Sequence, residues 1–265
     1  MAQEGSLAQY ICMARSHTFH SDVRVLTKTK LGEADLIVTC LTSDGIQIRA
    51  VAKGARKPKA KLAGAVGTFN KLSALFAEGR NLAVLCEAKV LETFNNASLD
   101  LRTVAALSIV AELAAKISFP DSENPYLAAT SDRFSEIIKD EQLQVPSLDA
   151  LLAAFIFKNY ASMGWMPGLS GCVVCSQKAA AYFSVSEGGL ICSDCAARIA
   201  DKKNITPEIV SALQDLIKRT LSEVVRTPYS GHTARWLLLS ALEWIEHYSG
   251  IRLKSADFYL NYEPV

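Results

Sequence analysis

No run in this 265-residue sequence approaches the roughly 18 uninterrupted apolar residues of a membrane-spanning helix. Residues 1–20 (MAQEGSLAQYICMARSHTFH) lack a basic stretch followed by an apolar one, so neither a span nor a secretory signal is expected. An excess of one charge is also missing, since 28 Lys+Arg stand against 27 Asp+Glu for a net charge of +1. The chain has no internal repeat and no low-complexity tract. It contains no G-x-x-x-x-G-K-[ST], G-x-S-x-G, H-E-x-x-H or dinucleotide-binding fingerprint, so no motif supports an enzyme. What is present is an average soluble composition, 50% apolar and 21% charged, which excludes wholesale disorder and a collagen-like chain. At about 100–200 residues per domain, the length predicts one to three domains.

The near-neutral total hides a polarity. Residues 1–100 hold 13 Lys+Arg against 9 Asp+Glu, a balance of +4, and the remainder holds 15 against 18, a balance of −3. The N-terminal part is therefore expected to meet a polyanion. The seven cysteines are an odd number, and four of them form two close pairs, which favours metal binding in a reducing compartment over a secreted disulfide framework.

Residues 1–20 show no sustained periodicity and read as a mobile tail. Residues 21–98 contain five stretches rich in β-branched and aliphatic residues: Val23–Thr29, Asp35–Thr42, Ile46–Lys53, Thr68–Ala77 and Leu82–Leu91. The turn signals Asp44-Gly45 and Glu78–Asn81 leave no room for helical crossovers, so the expectation is a small antiparallel sheet or barrel. Residues 99–265 change to helical spacing over Leu101–Ser118 and Tyr126–Lys139. A third helix is predicted after a Ser147 N-cap, stopping at Gly164; its nearly all-round apolar coverage marks it as central and buried. Thr206-Pro207 opens another helix, and one more spans His232–Ser249 before Gly250. The fold class is thus α+β, with residues 171–200 set as an insertion into the helical part.

That insertion carries the sharpest motif. Cys172-Val173-Val174-Cys175 is followed, after sixteen residues, by Cys192-Ser193-Asp194-Cys195, which fits the spacing of a four-thiolate zinc site. With all four positions filled by protein no ligand place is left for water, so one structural Zn2+ is expected. Iron is the alternative metal, and two disulfides or four incidental core cysteines are the readings without one.

The second motif is a stretch without acids. Ile46–Ala77 holds Arg49, Lys53, Arg56, Lys57, Lys59, Lys61 and Lys71 and no Asp or Glu. Strand alternation puts Ile46, Ile48 and Ala50 inward and Gln47, Arg49, Val51 and Lys53 outward, and the GARKPKAK loop extends the outward array. Such a row suits phosphates spaced along a nucleic-acid backbone; a solvated Lys-rich edge is the plain alternative. Cys40 and Cys86 read as small core residues, and Trp165, Trp236 and Trp244 as core or interface anchors. Glu33 and Asp35 suit a turn or edge better than acid–base catalysis.

Together LGEADLIVTCLTSDGIQIRAVAKGARKPKAKLAG, GWMPGLSGCVVC and GGLICSDC resemble the bacterial RecO recombination mediator family over about residues 20–260. Leu31 departs from it, standing where many relatives carry an aromatic residue, and the tail before His17 is longer than usual. The resemblance implies an N-terminal OB-fold, a helical domain and a zinc-ribbon-like lobe. It implies a non-catalytic cytoplasmic, nucleoid-associated DNA-repair protein that binds single- and double-stranded DNA and anneals complementary strands. It further implies contact with the acidic C-terminal tail of single-stranded-DNA-binding protein, work with RecR to load RecA, and a functional link to RecF. Arg49, Lys53, Arg56, Lys57, Lys59 and Lys61 would supply most phosphate contacts, with Arg24, Lys28 and Lys30 as second-rank candidates. Arg133, Lys158, Lys218, Arg219 and Arg235 are candidates to rim the acidic-tail pocket. The rival readings are a protein-interaction adaptor with a structural zinc and, less well supported, a zinc-dependent nuclease or deaminase.

Overall fold

The computed structural model describes residues 17–57, 60–94, 99–140, 143–177 and 180–262. They fall into two compact units, one running to Ala129 and resuming at Phe258, the other Thr130–Asp257.

In the first unit, five strands close into a barrel: β1 (Thr18–Leu31), β2 (Asp35–Thr42), β3 (Gln47–Ala52), β4 (Lys71–Ala77) and β5 (Ala83–Glu92), in the order β1-β2-β3-β5-β4. Alternation drives the closure. Val38 and Cys40, Ala50 and Ala52, and Leu72, Ala74 and Phe76 are buried at every second position and meet Val23, Val25 and Leu85 in one core. A five-stranded barrel of this kind is an OB-fold architecture. One pairing differs from the antiparallel expectation, because β3 and β5 run parallel through Ala50↔Ala83 and Val51↔Val84. They are not consecutive, so the chain between them, including β4, makes the crossover that a direct link is too short to make.

β1 starts at Thr18, not at Val23 as expected, so Thr18, Phe19 and His20 belong to the barrel instead of a tail. Phe19 stacks on Phe76 with ring centroids 5.4 Å apart, apolar contact that an isolated look at the polar HTFHSD stretch does not reveal. The expected tail over residues 1–16 lies outside the described residues. Between Val25 and Thr27 the register with β2 shifts, leaving Leu26 as an extra residue. A helix, α1 (Leu101–Ile117), follows the barrel; Asp100 caps it by accepting from the Thr103 amide at 2.7 Å. Its last carbonyls are tied to β3, since Gln47 Nε2 donates to Ala115 O at 2.8 Å and Ser118 O at 3.1 Å.

α2 (Pro125–Asp140) leads into the second unit, whose centre is α3 (Val145–Ser162). Leu148–Phe157 and Tyr160 are buried on every side of α3, as the apolar coverage predicts. Its start is Gln144 with Pro146 in the first turn, not a Ser147 cap, because proline fits where the amide has no helical partner. A small sheet then pairs β6 (Tyr182–Ser184) with β7 (Gly189–Ile191) and β8 (Lys203–Asn204), around the short α4 (Ser193–Ala196). α5 (Pro207–Lys218) and α7 (Gly231–Ser249) match the expected helices, capped by Thr206 and Ser230. α6 (Leu221–Arg226) and α8 (Lys254–Asn261) are too short to show clear periodicity. Trp244 is fully buried, lying 5.8 Å from Phe157 and 5.9 Å from Phe183 by ring centroid, so the anchor reading of this tryptophan stands.

Candidate nucleic-acid interface and metal centre

β3 presents Arg49 outward and buries Ala50 and Ala52 inward, with exposed Lys53 continuing the outward row. Arg49 faces Thr39 of β2, and Thr39 faces Thr27 of β1, so these residues share one outer face. The loop after β3 is anchored to the β1–β2 turn. Gly54 donates its amide to Asp35 Oδ1 at 2.7 Å, the Arg56 amide reaches Ala34 O at 2.9 Å, and Arg56 Nη1 reaches Gly32 O at 2.8 Å. Gly54 adopts φ +66°, a conformation that glycine reaches without strain. Arg56, Lys57 and Lys61 are exposed. Lys59 lies outside the described residues. Beyond the loop, buried Asn70 donates to Ala65 O at 3.0 Å and accepts from the Phe94 amide at 3.0 Å, holding the return into β4.

The second-rank cations fall elsewhere. Arg24 is 3% exposed, and its guanidinium pairs with Glu92 at 2.9 Å, donates to Phe69 O at 2.9 Å and lies 4.7 Å from the Phe69 ring centre. It holds the barrel and has no surface to offer a phosphate, which corrects the expectation for Arg24. Lys28 pairs with Val38, opposite Ala50, and Lys30 with Leu36, opposite Ala52. Both lysines are exposed but sit on the other side of the sheet from Arg49, because Leu26 shifts the alternation by one residue.

The rim candidates of the second unit are mostly engaged. Arg133 bonds Ser222 and Glu136, Lys158 donates to Ile217 O at 2.9 Å, Arg219 pairs with Asp215 at 2.9 Å, and Arg235 pairs with buried Asp149 at 3.3 Å. Burial holds the Lys158 ammonium below its usual range, partly offset by the charge of Glu223.

In the second unit, the sulfurs of Cys172, Cys175, Cys192 and Cys195 all lie within 4.8 Å of one another, and all four thiols are free. The Cys175 and Cys192 sulfurs are 3.7 Å apart, close to the edge of a tetrahedron with metal–sulfur bonds of about 2.3 Å and too long for a disulfide bond of about 2.05 Å. The first knuckle is folded by the Ser176 amide on Cys172 O at 2.8 Å, with Ser176 at φ +65°. The second sits at the start of α4, whose Ala196 amide reaches Cys192 O at 3.0 Å. Burial works against ionising Cys172, but the amides of Cys192, Cys175 and Val174 outweigh it and bring the thiol down to about 6. Cys195, crowded first by Cys192 and Cys175, is pushed up to about 12. Four sulfurs this close carry their full negative charge only around a cation, so the donor set suits one metal ion. The geometry leaves no protein-free ligand position, which supports a structural role over a catalytic one. The lobe is closed by Gly189 at φ +157°, where an added Cβ would meet Gly168 O at 2.3 Å.

Comparison with known proteins settles the lineage. The family profile described as Recombination protein O N terminal matches residues 13–94, and Recombination protein O C terminal matches residues 98–257. The chain belongs to the recombination protein O family. A DNA repair protein RecO of Bifidobacterium longum is 29% identical over 215 residues, covering 77% of this chain and 84% of that protein. The DNA repair protein RecO of Caldanaerobacter subterraneus is 28% identical over 235 residues, 88% of this chain and 94% of its own length. That of Listeria monocytogenes is 27% identical over 236 residues, 88% and 91% respectively. Membership in the RecO family places the chain in DNA repair and recombination. No helix among the described residues is long and apolar enough to cross a membrane. Sequence reasoning passed over Asp35 and Asn70 as site residues; the signal for Asp35 was its place in the LGEAD turn, a short carboxylate able to accept from a backbone amide.

Proposed function

We propose that this RecO family member is a non-catalytic mediator that binds single- and double-stranded DNA through backbone phosphates at β3 and the loop that follows it. The observation that carries this reading is the acid-free row in which Arg49, Lys53, Arg56 and Lys57 are exposed in continuous sequence off one barrel strand. Contact through phosphates leaves base edges free and lowers the repulsion between two strands, so annealing of complementary strands follows without sequence specificity. Lys59 and Lys61 extend the row in this reading, with Lys28 and Lys30 on the opposite side of the sheet as a lesser contribution. The four cysteines hold one structural Zn2+ that fixes the lobe around β6, β7 and β8. Family membership supports cooperation with RecR and contact with the acidic tail of single-stranded-DNA-binding protein, in aid of RecA loading and linked to RecF. It also supports a cytoplasmic, nucleoid-associated location.

The test is equilibrium binding to a mixed-sequence single-stranded oligonucleotide across a salt series. Log affinity is expected to fall with log salt by about 0.7 per phosphate contacted, and the combined Arg56→Glu, Lys57→Glu, Lys59→Glu and Lys61→Glu variant is expected to lose both binding and annealing. Absence of binding at low salt would make the basic loop a solvated edge and leave a protein-interaction adaptor as the function.

A further inference from the structure

At the start of the basic loop Ala55 is buried against the barrel core, while Arg56 and Lys57 are exposed. Besides the local bond from the Lys57 amide to Gly54 O at 2.9 Å, three bonds tie this turn to the neighbouring strands, and all three end on residues Gly32–Asp35. Two end on main-chain carbonyls, which no substitution at Gly32 or Ala34 removes, although the Arg56 guanidinium bond is lost when Arg56 itself is replaced. The third uses a side chain, the Asp35 carboxylate on the Gly54 amide at 2.7 Å. Asp35 is half-buried and directly precedes the buried face of β2, so its reach is set by the barrel and not by the loop.

The placement of an acid here is informative. Ile46–Ala77 excludes Asp and Glu, yet a carboxylate from the neighbouring turn is brought against the loop's first residue. A negative charge beside a phosphate site lowers affinity unless it contributes something else. A charge-assisted bond to a backbone amide fixes the conformation of Gly54 at φ +66°, and with it the direction in which Arg56 and Lys57 leave the barrel.

We infer that Asp35 is a positioning residue of the phosphate-binding loop, acting through Gly54 to hold Lys53, Arg56 and Lys57 in one row. The inference rests on the proposed DNA-binding function. Arg56 has two tasks in this arrangement. One guanidinium N–H is held by Gly32 O, and the remaining donors of its five-donor fork face a strand's phosphates. Ordering the loop before DNA arrives removes part of the entropy lost on binding, so the tether raises affinity without touching the ligand.

Two substitutions separate reach from charge. Asp35→Asn keeps a carbonyl oxygen at the same distance and removes the charge; Asp35→Glu keeps the charge and overshoots the Gly54 amide by one methylene. Both are compared with wild type for oligonucleotide affinity at one salt concentration, for hydrogen exchange at the Gly54 amide, and for melting temperature. Positioning predicts that Asn retains slow exchange and binds as tightly as wild type or more so, whereas Glu exchanges faster and loses affinity about fivefold with its salt slope unchanged. Should the Glu variant fail to fold, Asp35→Ala takes its place, with the same predicted loss despite the removed negative charge. Equal affinity in the Asn and Glu variants, or tighter binding by Ala than by wild type, overturns the inference while leaving DNA binding intact. A wild-type protein that binds no oligonucleotide overturns the functional reading itself, and the positioning role with it.

Discussion

Arg24 shows how little a residue's type says about its task. In the sequence it is one of several cations near the N-terminus; in the barrel it is buried, with Glu92 at 2.9 Å and Phe69 supplying a carbonyl and a ring. Removing one member of a buried pair leaves the other desolvated without compensation, so Arg24→Ala is expected to destabilise the protein by about 3–5 kcal/mol in urea denaturation. Pairing Arg24→Met with Glu92→Gln is expected to recover much of that loss. Asp35 is the converse case, an acid that sequence reasoning assigns to a turn and that the structure places on the Gly54 amide.

At the level of elements, the bulge at Leu26 decides which lysines share a face with Arg49. Alternation read straight along β1 assigns Val25, Thr27 and Thr29 to one side; the inserted residue instead puts Thr27 and Thr29 with Arg49 and sends Lys28 and Lys30 to the other. Arg49→Glu combined with Lys53→Glu is therefore expected to weaken oligonucleotide binding by more than tenfold and lower the salt slope by about 1.4 or more. Lys28→Glu combined with Lys30→Glu is expected to have a clearly smaller effect in the same titration. Strand and helix existence was legible because side-chain period reports burial, as in α3, whose all-round apolar coverage matches its position. The first turn of β1 was not, since Thr18–Ser21 is polar apart from Phe19 and is held by main-chain pairing to β4.

For the whole molecule, the basic row belongs to one compact unit and the four thiols to the other. Metal binding is worth on the order of 10 kcal/mol in small zinc peptides, far more than the few apolar residues around Cys172, Ile191, Cys192 and Ala196 supply. Stripping the metal with a chelator under reducing conditions is expected to raise hydrogen exchange across residues 182–204 and to lower melting temperature. Oligonucleotide affinity is expected to stay within about twofold, because no cysteine of the cluster lies in the basic row. A loss of affinity as large as that of the Arg49 and Lys53 variant would tie the metal lobe to DNA binding directly.

By itself, the sequence determined what local chemistry specifies. Two Cys-x2-Cys knuckles specify a metal-ligand set, an acid-free cationic stretch specifies a candidate polyanion site, and residue periods specify a strand-rich half before a helix-rich one. Tertiary structure decided what depends on distant partners. The parallel closure of β3 on β5, the burial of Arg24 under Phe69 and against Glu92, and the docking of Gly54 on Asp35 join residues 19 to 68 positions apart. Such pairings depend on register and closure, and a single inserted residue such as Leu26 reverses the face that the following residues take without altering the local pattern on either side.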